Sequence, residues 1–270
     1  MITGASTGIA LAALKHGEKV IVTSRKTEKL QSLVDQYPDR CIPKQLDLTD
    51  TDSMKKFMTY VQDLDHIDIL VNNAGYGYLA AVEEGKYHEI RKVFDTNLFG
   101  PVDLTQAVLP KMWTLKKGAI INISSVDAVR GSTGSSFYAA TKAALESISD
   151  ALEREIAPFN IKVMIVEPGG FQTDFYASLE ETKDKVKDYD QQKYSGDNEL
   201  DCKKNIPADL NVPGDPMKAG EVIYEEIQKD DYPKQLLLGS DALNFIQKEL
   251  QRRLNETKKW ADTSKKQINN

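Results

Sequence analysis

The sequence predicts an α/β protein: a doubly wound parallel sheet in a single domain spanning residues 1–270. Three observations carry that reading. Short β-branched apolar runs alternate with amphipathic helical stretches, the pattern of a parallel sheet covered on both faces. A glycine-rich turn, Thr3-Gly4-Ala5-Ser6-Thr7-Gly8, closes the first apolar segment. Glycines there let a backbone approach a phosphate at a helix N-terminus. Strand candidates also end in polar residues, such as Asn72-Asn73-Ala74-Gly75 and Ser124-Ser125. In open parallel sheets the ligand site lies beyond the carboxyl ends of the strands.

The elements follow in order. Val20-Ile21-Val22 is a short strand, and residues 27–37 form a helix burying Leu30, Leu33 and Val34. A strand at 41–46 leads to a helix at 50–64, capped by Asp50 or Thr51. Residues 67–71 form the strand before Asn72. A long helical stretch covers about 89–112, with Pro101 near its middle. The strand 119–123 precedes a helix at 138–157, and another strand covers 161–166. A helix at 217–229 opens with Asp215 as N-cap and Pro216 at its first position. The strand 235–238 and a helix at 241–260, capped by Ser240, complete a seven-strand sheet. Residues 178–211 break the alternation with a polar, charge-mixed segment that reads as a substrate lid. Residues 261–270 read as a flexible tail.

Composition narrows the function classes. Forty per cent hydrophobic and 28% charged residues describe a soluble globular chain. A formal net charge of −6 argues against nucleic acid as a partner. No apolar run approaches the roughly 20 residues of a membrane span. Met1-Ile2-Thr3-Gly4 shows no signal-peptide pattern, so a cytoplasmic location is expected. Cys41 and Cys202 are far apart and read as free thiols, and His16, His66 and His88 form no ligand cluster, so no metal is expected.

The stretch from Ser125 to Lys142 carries the chemistry. Tyr138 and Lys142 sit four apart at a helix start, hence on one face. Ser125, at a strand end, can face them across a short loop. That places a general acid, its activator and a carbonyl polariser together.

With these motifs in this order, together with Asn97 and Pro168-Gly169, the chain resembles the classical short-chain dehydrogenase/reductase family over nearly its whole length. Val82-Glu83-Glu84-Gly85, the block from Phe94 to Gly100 and the ending from Leu238 to Leu243 resemble its 17β-hydroxysteroid-dehydrogenase-like branch, which includes many fungal members. The resemblance implies a Rossmann-type fold and NADP(H)-dependent interconversion of an alcohol and a ketone or aldehyde. Tyr138 would be the general acid/base, activated by Lys142, which also holds the nicotinamide ribose. Ser125 would bind the substrate oxygen, and Asn97 would support a relay water near Lys142. Gly4, Ser6, Thr7, Gly8, Asp47, Leu48, Asn73, Ala74, Gly75, Pro168, Gly169, Phe171 and Thr173 would line the cofactor with Tyr138 and Lys142. NAD-binding members carry an acidic residue after the second strand. Here Thr23-Ser24-Arg25-Lys26 places Arg25 where it can bind a 2′-phosphate, so NADP(H) is expected. Tyr76, Tyr78, Phe137, Phe171 and Phe175 lie where the family lines its pocket, which suits an apolar carbonyl or alcohol substrate. A homodimer through the 89–112 and 138–157 helices is common in the family.

The chain departs from the family at its start. Only Met1 and Ile2 precede Thr3, and Gly8 runs directly into Ile9-Ala10-Leu11, so the first strand and first helix are shortened. An incomplete gene model and a genuine variant with a weakened phosphate site both account for this. A second reading therefore stays open: a catalytically impaired member serving as a binding or scaffold protein.

Overall fold

The computed structural model describes residues 1–4, 8–186 and 214–266. Six parallel strands build the main sheet. They are β1 (Val20–Ser24), β2 (Cys41–Gln45), β3 (Ile69–Asn72), β5 (Gly118–Ile123), β6 (Ile161–Pro168) and β8 (Gln235–Leu238). The two-residue strands β4 (Tyr78–Leu79) and β7 (Glu180–Glu181) pair separately. β3, β5, β6 and β8 are neighbours in that order, and β1 pairs with β2. The first residues join these two groups. Ile2 bridges Val22 on one side and Val71 on the other. Its N–H donates to Ile21 O at 2.9 Å, and Thr3 N–H donates to Val71 O at 3.0 Å. The result is the expected doubly wound order, with the first strand reduced to a bridge.

β5 and β6 are apolar along nearly their whole length because both faces are covered. On one face α1 (Ile9–Lys15) and α7 (Pro216–Gln228) bury Ala10, Leu14, Ile223 and Ile227 against Val22, Met164 and Val166. On the other face α3 (Thr51–Asp63), α5 (Gly100–Leu115) and α6 (Ser136–Ile156) bury Phe57, Leu104, Met112 and Leu152 against Ile120 and Val163. A polar seam crosses this second face. Asn72 Nδ2 donates to Asn122 Oδ1 at 2.8 Å, and Asn122 Nδ2 donates to Ser149 Oγ at 2.7 Å. Both amide N–H groups thereby find acceptors, although Asn72 Oδ1 has no partner among the described residues, and the seam links β3, β5 and α6.

Asp50 caps α3 by accepting from Ser53 N–H at 2.6 Å, and Asp215 caps α7 by accepting from Met217 N–H at 2.8 Å, both as expected. Several local expectations are corrected. The 27–37 helix begins as a 3₁₀ turn over Thr27–Leu30, and only Gln31–Gln36 is α-helical. The 89–112 stretch is not continuous. α4 (Tyr87–Phe94) passes into a π-helical segment, Asp95–Phe99, before α5 begins. Pro101 sits in the first turn of α5, where its missing N–H costs nothing. Ser240 opens α8 (Ser240–Lys259) as a helical residue. Gly239, at φ 103°, occupies the cap position and offers no side chain. A short helix α9 covers Ala261–Lys265. Of the lid segment, residues 178–186 are described and 187–211 lie outside the described residues. Cys202 lies outside them too, and Cys41 is a buried free thiol.

Candidate active site

The carboxyl ends of β1, β3, β5 and β6 open into one cleft of about 1280 Å³. Its floor is the start of α6. One helical turn separates Tyr138 from Lys142, and both are buried. Lys142 Nζ lies 5.8 Å from the Tyr138 ring centroid and donates to Ile123 O at 2.7 Å. Burial pulls the Lys142 ammonium down from its ordinary value to about 8, and the Glu146 carboxylate opposes that shift. The ammonium is therefore mostly charged at pH 7 and loses its proton just above.

Ser125 lies two residues past the end of β5 and faces the cleft. Its Oγ accepts from Asp127 N–H at 3.1 Å, which caps the short turn Val126–Ala128. One hydroxyl lone pair is thus engaged while its O–H can still donate to an incoming oxygen. Asn97 is fully buried behind the floor and is not part of the cleft wall. It lies inside the π-helical segment, where the ordinary helical ladder is broken. Its amide donates to Thr141 Oγ1 at 3.1 Å and to Tyr76 O at 3.0 Å, and accepts from Tyr76 N–H at 3.1 Å. A Cβ built on Gly75 would lie 3.1 Å from Asn97 Oδ1 and 3.4 Å from Lys142 Nζ, so a glycine there keeps the two close.

The other end of the cleft is formed by the first turn. Gly4 and Gly8 both have positive φ, 60° and 58°. A Cβ on Gly4 would meet Ala74 Cα at 2.8 Å. Thr3 Oγ1 accepts from both Asn73 N–H and Ala74 N–H at 3.0 Å, which ties the turn to the end of β3. α1 has seven residues, two turns, and Gly8 gives it no side-chain cap. Arg25, Asp47 and Leu48 line the same end, and Pro168, Gly169, Phe171 and Thr173 line the wall above Tyr138. Ser6 and Thr7 lie outside the described residues.

The aromatic set divides. Tyr76, Phe171 and Phe175 line the cleft, and the Phe175 ring lies 5.6 Å from that of Tyr138. Tyr78 and Phe137 do not line it. They pack together at 6.1 Å in a separate apolar cluster with Ala80 and Val93. Three groups near the floor escaped sequence reasoning. Ser124, Glu146 and Glu167 are polar side chains behind Lys142, and Ser124 Oγ donates to Glu146 Oε1 at 2.5 Å. Glu146 lies four residues after Lys142 and Glu167 ends an apolar strand, which is the signal that could have found them. Lys92 also reaches the cleft wall and pairs with Glu180 of β7 at 2.8 Å.

The family model described as short chain dehydrogenase matches residues 1–184. An oxidoreductase of Botryotinia fuckeliana is 32% identical, over 97% of this chain and 96% of that protein. A short-chain dehydrogenase from Streptomyces avermitilis has a similar structure, with a TM-score of 0.88 and 37% identity, covering 99% of this chain and 98% of that one. A serine dehydrogenase in its closed form with NADP+ superposes with a TM-score of 0.71 at 27% identity, covering 88% of this chain and 94% of that one. Among the described residues no helix is long and apolar enough to cross a membrane. With the doubly wound sheet and the cleft at its strand ends, these matches make the chain an oxidoreductase that belongs to the short-chain dehydrogenase/reductase family.

Proposed function

We propose that this protein interconverts an alcohol and a ketone or aldehyde with NADP(H), and that Tyr138 is its general acid and base. The observation that carries the reading is the buried Tyr138–Lys142 pair on the floor of a cleft that Ser125 also faces. The cleft residues suit a dinucleotide. Gly4 packs its backbone directly against Ala74, where no Cβ fits, the polypeptide has positive φ at Gly4 and Gly8, and Arg25 and Lys26 line the cleft at the end of β1. Asp47 and Leu48 would flank the adenine, Asn73, Ala74 and Gly75 the middle of the cofactor, and Pro168, Gly169, Phe171 and Thr173 its nicotinamide end. Bound NADPH supplies the hydride that reduces the carbonyl carbon.

The protein supplies the rest. Ser125 O–H donates to the substrate oxygen and stabilises the charge that develops there. Tyr138 O–H delivers a proton to that oxygen, a role worth about 10²–10⁴ in rate. The Lys142 ammonium stabilises the phenolate left behind, and a proton from solvent restores it. Tyr76, Phe171 and Phe175 give the substrate end an apolar wall, consistent with an apolar carbonyl compound. Membership of the 17β-hydroxysteroid-dehydrogenase-like branch, a lid over residues 178–211 and assembly as a homodimer belong to the same proposal. Arg25 is the basis for preferring the 2′-phosphate form, because its guanidinium matches a phosphate in charge and geometry.

A second reading, a binding protein without turnover, draws on the seven-residue α1 and its uncapped start. A thermal-shift titration separates the two. NADPH should raise the melting temperature more than NADH at equal concentration, and one of a panel of apolar ketones and aldehydes should be reduced at NADPH expense. No shift with either nucleotide would favour the second reading.

A further inference from the structure

Behind the floor of the cleft lies a group of buried acids. The ladder between β5 and β6 runs one residue past the strand, because Ser124 N–H donates to Val166 O at 2.7 Å. The pairing of Ile123 with Val166 therefore continues as Ser124 opposite Glu167. Alternation along β6 puts Glu167 on the same face as Ile161 and Val163, the face that α6 covers. Glu146 approaches from α6, and Ser124 Oγ bonds its Oε1. Glu167 is 2% exposed, and its Oε2 has no hydrogen-bond partner among the described residues. Lys142 completes the group, four residues before Glu146 on the same helix face. On β8, the residue opposite Glu167 is Leu237, which cannot pair with it. Asp241, from the start of α8, is engaged by Gly170 N–H at 2.7 Å.

A lone ionised carboxylate in such a place is costly, and two side by side are more so. If both were ionised, Glu146 would face the ammonium on one side and a second buried carboxylate on the other. If both were protonated, Lys142 would be a buried cation without a counter-charge. One shared proton leaves one negative charge for one positive charge. We propose that Glu146 and Glu167 hold a single proton between them and act as positioning residues that keep Lys142 cationic for the reaction proposed above. On this account the orphaned Glu167 oxygen is where the shared proton sits, and Glu146 is its acceptor. Burial and the neighbouring Glu146 push Glu167 up to about 7, and burial also raises Glu146. Near neutral pH the pair then releases its proton to solvent, and the local charge becomes more negative by one.

The role rests on the reductase reading, but the shared proton does not, and the test separates them. Glu167 carries a native value above its unfolded one, so its contribution to stability is full below about 4.5 and is lost as pH rises through about 7. Wild type and Glu167→Gln should melt alike at pH 4, where the carboxyl is protonated in both the folded and the unfolded chain. At pH 8.5 the variant should gain about 3 °C or more relative to wild type. An equal difference at both pH values would overturn the shared proton. In the activity assay, Glu146→Gln should move the alkaline fall of kcat down by about one pH unit, and Glu146→Asp should restore it. An unmoved profile, or a fall in KM-dependent binding alone, would overturn the positioning role. An inactive wild type that still shows the pH-dependent melting difference would sink the reductase reading and leave the shared proton standing.

Discussion

The two ends of the cleft are built differently. At the floor, each group is over-determined. Asn97 makes three hydrogen bonds, Lys142 is held by Ile123 O, and Thr141 Oγ1 donates to Tyr138 O at 2.6 Å. The helix carrying Tyr138 has 21 residues and is buried along one side. The phosphate end rests on less. Its strand is a single bridging residue, its helix has seven residues, and two positive-φ glycines shape the turn. Side-chain hydrogen bonds and packing hold the floor, whereas glycines shape the backbone at the other end. If the site works as proposed, a change at Gly4 should weaken the nucleotide's phosphate end while leaving the packing around Tyr138 and Lys142 largely intact.

Gly4→Val places a side chain against Ala74 Cα and forces a β-branched residue to φ 60°. The strain alone costs about 1–2 kcal/mol. We expect a melting temperature lower by about 5 °C and loss of NADPH binding by titration, with near-native far-UV circular dichroism. Unchanged affinity would mean that the turn does not hold the cofactor.

Arg25→Ala sharpens the comparison without touching the fold, because Arg25 is exposed at the end of β1. Losing a charge-assisted phosphate contact costs about 1.5–3 kcal/mol, or roughly 10–100-fold in NADPH affinity. Affinity for NADH should stay within about twofold, and kcat at saturating NADPH should not change. A parallel loss for both nucleotides would place Arg25 outside any 2′-phosphate site.

The smallest effect belongs to pH and probes the floor. Burial holds Lys142 near 8, below the ordinary lysine value of 10.5. Carbonyl reduction should therefore be flat below about pH 8 and decline above it as the ammonium loses its proton. The sign for stability is opposite. The native state binds fewer protons than the unfolded chain between about 8 and 10.5, so this group favours folding more as pH rises through that window. A rate profile flat to pH 10 would show that the charge of Lys142 does not matter to turnover.

Much of this architecture was legible in the residues. The apolar runs that became β5 and β6 are too continuous for anything but a sheet buried on both faces, and the four-residue spacing of Tyr138 and Lys142 reads directly as one helix face. Asp50 and Asp215 cap helices because their side chains can reach a backbone N–H two or three residues on. Other features were hidden for physical reasons. A π-helical segment keeps the hydrophobic stripe almost in phase, so the break at Asp95–Phe99 left no visible mark in the periodicity. Tyr78 and Phe137 lie in sequence near the cleft, and only their packing against each other shows that they face away from it. Glu167 sits at the end of an apolar strand, and pattern alone cannot say that a carboxyl there faces a second one. Ser240 has the chemistry of a cap, but the backbone placed Gly239 in that position.

Wild type and Tyr138→Phe should be compared side by side for NADPH affinity and for NADPH oxidation with a reducible carbonyl compound. Both should show the same NADPH dissociation constant, with a rate at least about 100-fold lower for the variant if Tyr138 delivers the proton. Undiminished reduction by Tyr138→Phe would contradict that role.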